Sequence, residues 1–360
     1  MQTVRVLKKT IDLAALRHNW QQIRRRANSP QLLAVVKSNA YGHSLCETAT
    51  ALNTLADGFA VVRLQDALTL RAADITSPII LLQGIFTRDN IALLSEHRLT
   101  PVIHSSWQLK ALTTLPTDAQ LTVYLKINTG MNRLGFELEE MAAAISTLQQ
   151  LPAIKNIILM THFADADRRD GLRDALEKLP ALRAYGLPLS LGNSAATLLH
   201  GDIGDTIGRV GIALYGASPA PAWHSAPTLG LQPVMHLTTE LIALRTLAAG
   251  ADVGYGSEFT APEAMQIGIA SIGYGDGYPR GSGLQVAIGD VIVPIIGRVS
   301  MEMIALDLRT CPTAAIGDTV TLWGNTLTVD AVAANVGMIT YDLLTNAKGE
   351  YRLIDDKKTR

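Results

Sequence analysis

Several features that often announce a function are scarce in this 360-residue chain. It has two cysteines, Cys46 and Cys311. Two isolated thiols make neither a zinc-ligand spacing nor a disulfide framework, so both are expected to be buried or idle. The formal net charge is -1, which gives no electrostatic footprint for nucleic acid or an anionic membrane. No stretch approaches the ~20 unbroken apolar residues that span a bilayer. The opening MQTVRVLKKTIDL has no apolar core of signal-peptide length, so a soluble, cytoplasmic protein is expected. No low-complexity tract is present. No G-x-G-x-x-G opens a first helix, which weighs against a dinucleotide-binding open sheet. What the chain does have is apolar mass: 48% of its residues are hydrophobic, ample for one large or two ordinary domains.

That mass is arranged in short runs. LLAVVK (32–37), GFAVV (58–62), IILLQG (79–84), TPVIHS (100–105), LTVYLKINTG (121–130), IILMTHF (157–163), LPLSLGNS (187–194) and TIGRVGIALYG (206–216) read as strands. Helical patterns separate most of them: 44–56, 65–74, 87–98 with a Thr87 cap, 137–151 and 168–186, with an earlier helix over 11–27. Its Arg24, Arg25 and Arg26 read as a solvated face. Strands apolar throughout, each followed by a helix, indicate parallel pairing with helices outside. Eight repeats predict a (β/α)8 barrel over residues 9–232. Beyond about residue 230 the texture becomes β-like, in QIGIASIGYG (266–275), QVAIGDVIVPIIGRVSMEMIALDL (285–308) and DTVTLWGNTLTVDAVA (318–333). A mainly β domain over 233–360 is expected, joined by an N-terminal strand over 2–8.

In such a barrel, functional groups gather at the C-terminal strand ends. The first strand ends on Lys37, with Tyr41 in its loop. The fifth gives Lys126, Asn128 and then Arg133; the sixth His162; the seventh Asn193 and Ser194; the eighth Arg209 and Gly211. Cations and hydrogen-bonding groups converging on one mouth favour an anionic ligand. The loops after strands 7 and 8, GNSAAT and GRVG, suit a phosphate. A lysine across the mouth then fits either a pyridoxal phosphate Schiff base or a sugar-phosphate aldolase.

The segments AVVKSNAYGHS, KINTGMNRLGF, THFADAD, GRVGIALYG, VGYG, GYGDGYPR, GRVSMEM and TYDLLT, in that order, resemble the motifs of alanine racemases. The resemblance spans essentially the whole chain. It implies pyridoxal 5'-phosphate as cofactor, alanine as substrate, a two-base racemisation, and a homodimer in which the β domain of one subunit completes the other's site. By that resemblance Lys37 carries the cofactor and is the base on the D face, and Tyr255 of the other subunit is the base on the L face. Arg209 faces the pyridine nitrogen and His162 links it to the tyrosine. Tyr41, Ser194, Gly211, Ile212 and Tyr341 form the phosphate shell, with Asn193 beside it. Arg133 and the Met301 amide of the other subunit meet the substrate carboxylate, and Lys126 matches a lysine carbamylated in many members. Tyr255 and Tyr341 resemble an inner gate whose tyrosines favour alanine. A racemase of broad specificity toward serine or lysine is the alternative. Glu302, where the family usually has Asp, and Val210, where a proline is common, depart from the pattern.

Overall fold

The structure, a computed structural model, describes residues 6–355. Its first strand, β1 (Lys8–Asp12), stops at a cap: Asp12 Oδ1 accepts hydrogen bonds from the amides of Ala14 and Ala15 at 2.8 and 3.0 Å. An aspartate there satisfies amides that the helix leaves unpaired, and the helix Leu13–Arg26 follows. Of the strand expected over 2–8, Lys8 falls in β1, and residues 2–5 lie outside the described residues.

All eight apolar runs of the first half form strands: β2 (Gln31–Val35), β3 (Gly58–Val61), β4 (Ile79–Leu81), β5 (Leu99–Ile103), β6 (Leu121–Lys126), β7 (Ile154–Met160), β8 (Leu189–Ser190) and β9 (Ile207–Val210). They pair in parallel in the order β8-β7-β6-β5-β4-β3-β2-β9. The seam between β8 and β9 is closed by backbone hydrogen bonds from Thr206 to Leu189 and from Arg209 to Gly192, both 2.9 Å. The sheet is thus a closed barrel, and its side chains are buried because helices cover it.

The intervening helices depart from expectation in two places. The single helix read over 168–186 is two short ones, Arg173–Leu176 and Leu179–Arg183, the second with Pro180 in its first turn. A proline has no amide to continue the preceding helix but suits a new start. At 87–98, Thr87 precedes a 3-10 turn (Arg88–Asn90) without a side-chain cap bond, and the helix proper is Ile91–Glu96.

The second half is antiparallel. Its strands are β10 (Met235–Leu247), β11 (Asp252–Val253), β12 (Phe259–Thr260), β13 (Met265–Ala270), β14 (Gln285–Ile288), β15 (Val291–Ile296), β16 (Ile304–Asp307), β17 (Thr319–Trp323) and β18 (Glu350–Ile354). The long β10 pairs with β17 through its first half and with β13 through its second. This closes the path β13-β16-β15-β14-β17-β10 on itself, and β1 and β18 extend it at β10. The run 318–333, read as β throughout, is a strand only to Trp323; a helix, Val329–Asn335, then starts under a Thr328 cap. A second helix, Thr340–Asn346, lies against the barrel: a side chain on Gly42 would meet the Leu344 carbonyl at 2.2 Å. Among the described residues no helix is long and apolar enough to cross a membrane.

Candidate active site

Parallel strands deliver all their C-terminal ends to one mouth. There lies a cavity of about 410 Å³, within the range of small-ligand sites. Lys37, Lys126, Arg133, His162 and Arg209 line it, and so do Tyr41, Asn193, Ser194, Gly211, Ile212 and Tyr341. Eleven of the thirteen expected site residues are therefore together. The other two, Tyr255 and Met301, lie outside it, 72% and 57% exposed on the β domain.

Lys37 follows β2 and opens a turn that the sequence does not signal. Ser38, Asn39, Ala40 and Tyr41 all have φ of 52–53°. This is one turn of left-handed helix, with Ala40 and Gly42 amides donating to the Val36 and Ser38 carbonyls. Such a conformation costs an L-residue roughly 1–2 kcal/mol, so surrounding contacts must hold it. Asn39 Oδ1 accepts from the Leu45 amide at 2.8 Å, and His43 Nδ1 donates to the Tyr41 carbonyl at 2.9 Å. The Tyr215 ring stacks on His43 and lies tilted against Tyr41, at 4.5 and 4.8 Å between centroids, while its hydroxyl donates to the Val35 carbonyl. Burial, and then Arg133, lower the Lys37 pKa below its ordinary value, which enlarges the neutral, nucleophilic fraction.

Arg209 is 4% exposed and anchored on neutral acceptors. Its Nη1 donates to Ser190 Oγ and Nη2 to the Thr161 carbonyl, each 2.7 Å, with the Leu191 carbonyl at 3.3 Å. Nη2 also points at His162 Nδ1, 3.4 Å away. Burial lowers the Arg209 pKa and Asp205 raises it; a guanidinium stays charged throughout. His162 is driven down to about 2 by burial and then by Arg209, Lys126, Arg133 and Lys37, so it is neutral at physiological pH. Lys126, 6% exposed at the end of β6, is lowered to about 8 by burial and by the neighbouring Arg209, Arg133 and Lys37. Asp167 is the one carboxylate among the lining residues.

The loops after β8 and β9 meet directly. Gly211 donates its amide to Ser194 Oγ at 2.8 Å, and a Cβ on Gly211 would come within 2.6 Å of the Tyr41 hydroxyl. Only glycine admits that approach. Asn193 is the cap of the helix Ser194–Leu199, its Oδ1 accepting from the Ala196 amide. Burial, then Asp167 and Asp330, push the Tyr341 phenol up to about 12, so it stays protonated.

Asn128 is not part of the cavity lining. Its Oδ1 accepts from the amides of Gly130 and Asn132, and its Nδ2 donates to Glu137, shaping the loop that presents Arg133. Sequence reasoning missed Asp167, Pro219 and Gln83, which also line the cavity. Asp167 was visible as the last residue of THFADAD, Gln83 as a strand end, and Pro219 carried no signal.

Residues 11–219 match the family model "Alanine racemase, N-terminal domain", and residues 234–354 match "Alanine racemase, C-terminal domain". The chain is 43% identical to the alanine racemase of Erwinia tasmaniensis, over 94% of this chain and 96% of that one. It is 43% identical to a catabolic alanine racemase of Klebsiella aerogenes, over 93% and 95% of the two chains. Among solved structures, the biosynthetic alanine racemase from Pseudomonas aeruginosa superposes with a TM-score of 0.93 at 40% identity, over 98% of this chain and 100% of that one.

Proposed function

The chain belongs to the alanine racemase family and interconverts L- and D-alanine; from that premise we propose that its barrel mouth holds pyridoxal 5'-phosphate on Lys37 and works between two bases, Lys37 and the Tyr255 of a second copy. The observation that carries this reading is the division of groups. The cavity gathers four cationic side chains against one carboxylate, while Tyr255 is exposed on the other domain.

The residues present fit the cofactor. A cationic cavity closed on one side by backbone at Gly211, where any side chain would strike Tyr41, suits a flat, anionic ring carrying a phosphate. Lys37 would hold the cofactor's aldehyde carbon, and Tyr41, Ser194, Gly211, Ile212 and Tyr341 its phosphate, with Asn193 fixing the loop. Arg209 would face the ring nitrogen, and as a donor only it would leave that nitrogen unprotonated. When bound, pyridoxal phosphate supplies an electron sink for the substrate's α-carbon.

Racemisation requires proton removal on one face and return on the other. A single confined base recaptures the proton on its own side, so two bases are needed. Lys37, once its amine is released, takes and gives the proton on the D face, and its lowered pKa favours the neutral, basic form. Tyr255 acts on the L face and must lose its proton to do so. His162 serves here through its tautomer. Arg209 can only donate, so the Nδ1 it faces is the acceptor and the hydrogen of neutral His162 sits on Nε2. That N–H can donate to the phenolate of Tyr255 from the second copy. Arg133 and the Met301 amide of the second copy orient the substrate carboxylate. Lys126, with a pKa of about 8, keeps enough neutral amine to be carbamylated, and an anion there would relieve its repulsion with Arg133 and Arg209. Tyr341 and Tyr255 form a gate for small substrates, which favours alanine over serine.

The decisive experiment incubates the coenzyme-loaded protein with L-alanine in deuterated water. Optical rotation should decay to zero as deuterium enters the α-position. Racemic product without α-deuterium, or a protein that stays colourless with added coenzyme, would overturn the reading.

A further inference from the structure

We propose that Asp330 is a positioning residue that sets the width of the cavity mouth, holding two of its walls, one from each domain, with a single carboxylate. Asp330 lies in the first turn of the helix Val329–Asn335. Its Oδ1 accepts from Thr340 Oγ1 at 2.6 Å, and its Oδ2 accepts from the Ser218 amide at 2.9 Å. Thr340 immediately precedes Tyr341, and Ser218 immediately precedes Pro219. Tyr341 and Pro219 both line the cavity.

Each end of this clamp is held in place. Thr340 and Ser218 are buried. The Ser218 hydroxyl is engaged within the barrel domain, donating to the His224 carbonyl and accepting from the Ala220 amide, so the backbone amide is what Asp330 receives. Tyr341 in turn lies against Tyr41, with ring centroids 5.8 Å apart. A shift of the helix Thr340–Asn346 is therefore passed to the turn that carries Lys37. The choice of aspartate follows from its chemistry. An ionised carboxylate accepts at both oxygens, whereas an asparagine would turn an NH2 group toward one of two donors. Burial raises the Asp330 pKa and the two hydrogen bonds oppose that rise.

The proposal rests on the reading of Tyr341 as one wall of the gate, and the test separates the two. Four variants are compared by kcat/KM for L-alanine and L-serine, by coenzyme Kd measured without substrate, and by thermal unfolding. In Asp330→Asn the alanine-over-serine ratio should fall, and the coenzyme Kd rise, by about 3- to 10-fold, the scale of one lost hydrogen bond. Thr340→Val, which removes only the hydroxyl, should reproduce both effects and decides the matter if Asp330→Asn does not fold. Asp355→Asn breaks a different tie between the domains, the 2.6 Å pair with Arg17; it should lower Tm and leave ratio and Kd unchanged. Tyr341→Ala should move the ratio further than any of these. If Tyr341→Ala moves the ratio and neither Asp330→Asn nor Thr340→Val moves it or the Kd, Asp330 is merely structural. An equal shift in Asp355→Asn would assign the effect to loosened domains in general. An unmoved ratio in Tyr341→Ala would remove the gate itself, and the clamp with it.

Discussion

The barrel mouth and the outer face of the β domain make opposite uses of strand direction. Parallel strands bring every C-terminal end to one place, so Lys37, Lys126, His162, Asn193 and Arg209, each from a different strand, share one cavity. Antiparallel strands alternate their ends and send successive loops to opposite sides. Tyr255, between β11 and β12, and Met301, between β15 and β16, stand exposed on such loops. They nevertheless belong to one patch. Gly254 and Gly256 flank Tyr255 with φ of 74° and 73°, and a Cβ on Gly256 would meet the Arg298 guanidinium at 3.2 Å. The Arg298 guanidinium is paired with Glu258, 2.5 Å away. The comparison teaches that one chain presents a cationic cavity that its own Tyr255 does not line, and a tyrosine without a cavity. Under the proposed reading the two are complementary halves of a site shared between copies.

The largest effect should come from the cavity side. Lys37→Ala should lower turnover by about 10⁴-fold or more, the scale of losing a nucleophile and a general base together, and the absorption band of protein-bound coenzyme should disappear. A variant that keeps that band would break the assignment of Lys37.

Next comes the exposed side. Tyr255→Phe should cost about 10²- to 10⁴-fold, the range of one general base. Because L- and D-alanine are equal in energy, steady-state racemisation must fall equally in both directions. The asymmetry appears instead in proton exchange: α-deuterium uptake by D-alanine should persist while uptake by L-alanine falls. Equal loss of both would refute the placement of Tyr255 on one face.

Mixing the two dead variants sharpens the comparison further. If each site takes Lys37 from one chain and Tyr255 from another, half of the pairs in an equal mixture are hybrids with one intact site of two. About one quarter of wild-type activity should return, as closed two-fold pairing requires. A mixture as inactive as its parts would place both bases in one chain.

The smallest effect separates the regions by acid. His43, buried against Tyr215, is held down to about 3 by burial, against an ordinary 6.5. The unfolded chain therefore binds a proton below pH 6.5 that the folded barrel refuses, and stability falls with pH from 6.5 toward 3. Between pH 6.5 and 5 the loss is about 2 kcal/mol for this one group. His43→Gln should flatten the dependence of the urea midpoint on pH over that window; an unchanged slope would remove His43 from the account.

Much of this was legible in the residues. The eight barrel strands were visible because each is a short apolar run bounded by turns, and strand ends such as Lys37 and Arg209 stand out by their charge. The segment 318–333 misled because TVTLW and VDAVA are both mostly apolar; the Thr328 cap decides where the helix begins. The left-handed turn at Ser38–Tyr41 carries no glycine before Gly42 to announce it. Its strain is offset by Asn39, His43 and Tyr215, the last of them far away in the chain. Asp330 was equally silent, because an acidic residue in a helix's first turn is ordinary.

By itself the sequence determined the order of the barrel strands, their parallel pairing and the charged groups at the mouth, since periodicity and strand-end chemistry are local properties. Tertiary structure alone decided which of those groups are buried, which tautomer His162 adopts beside Arg209, and that Tyr255 stands outside the cavity of its own chain. Burial, proximity of charges and the direction of a loop arise only when distant segments meet, so no window of residues contains them.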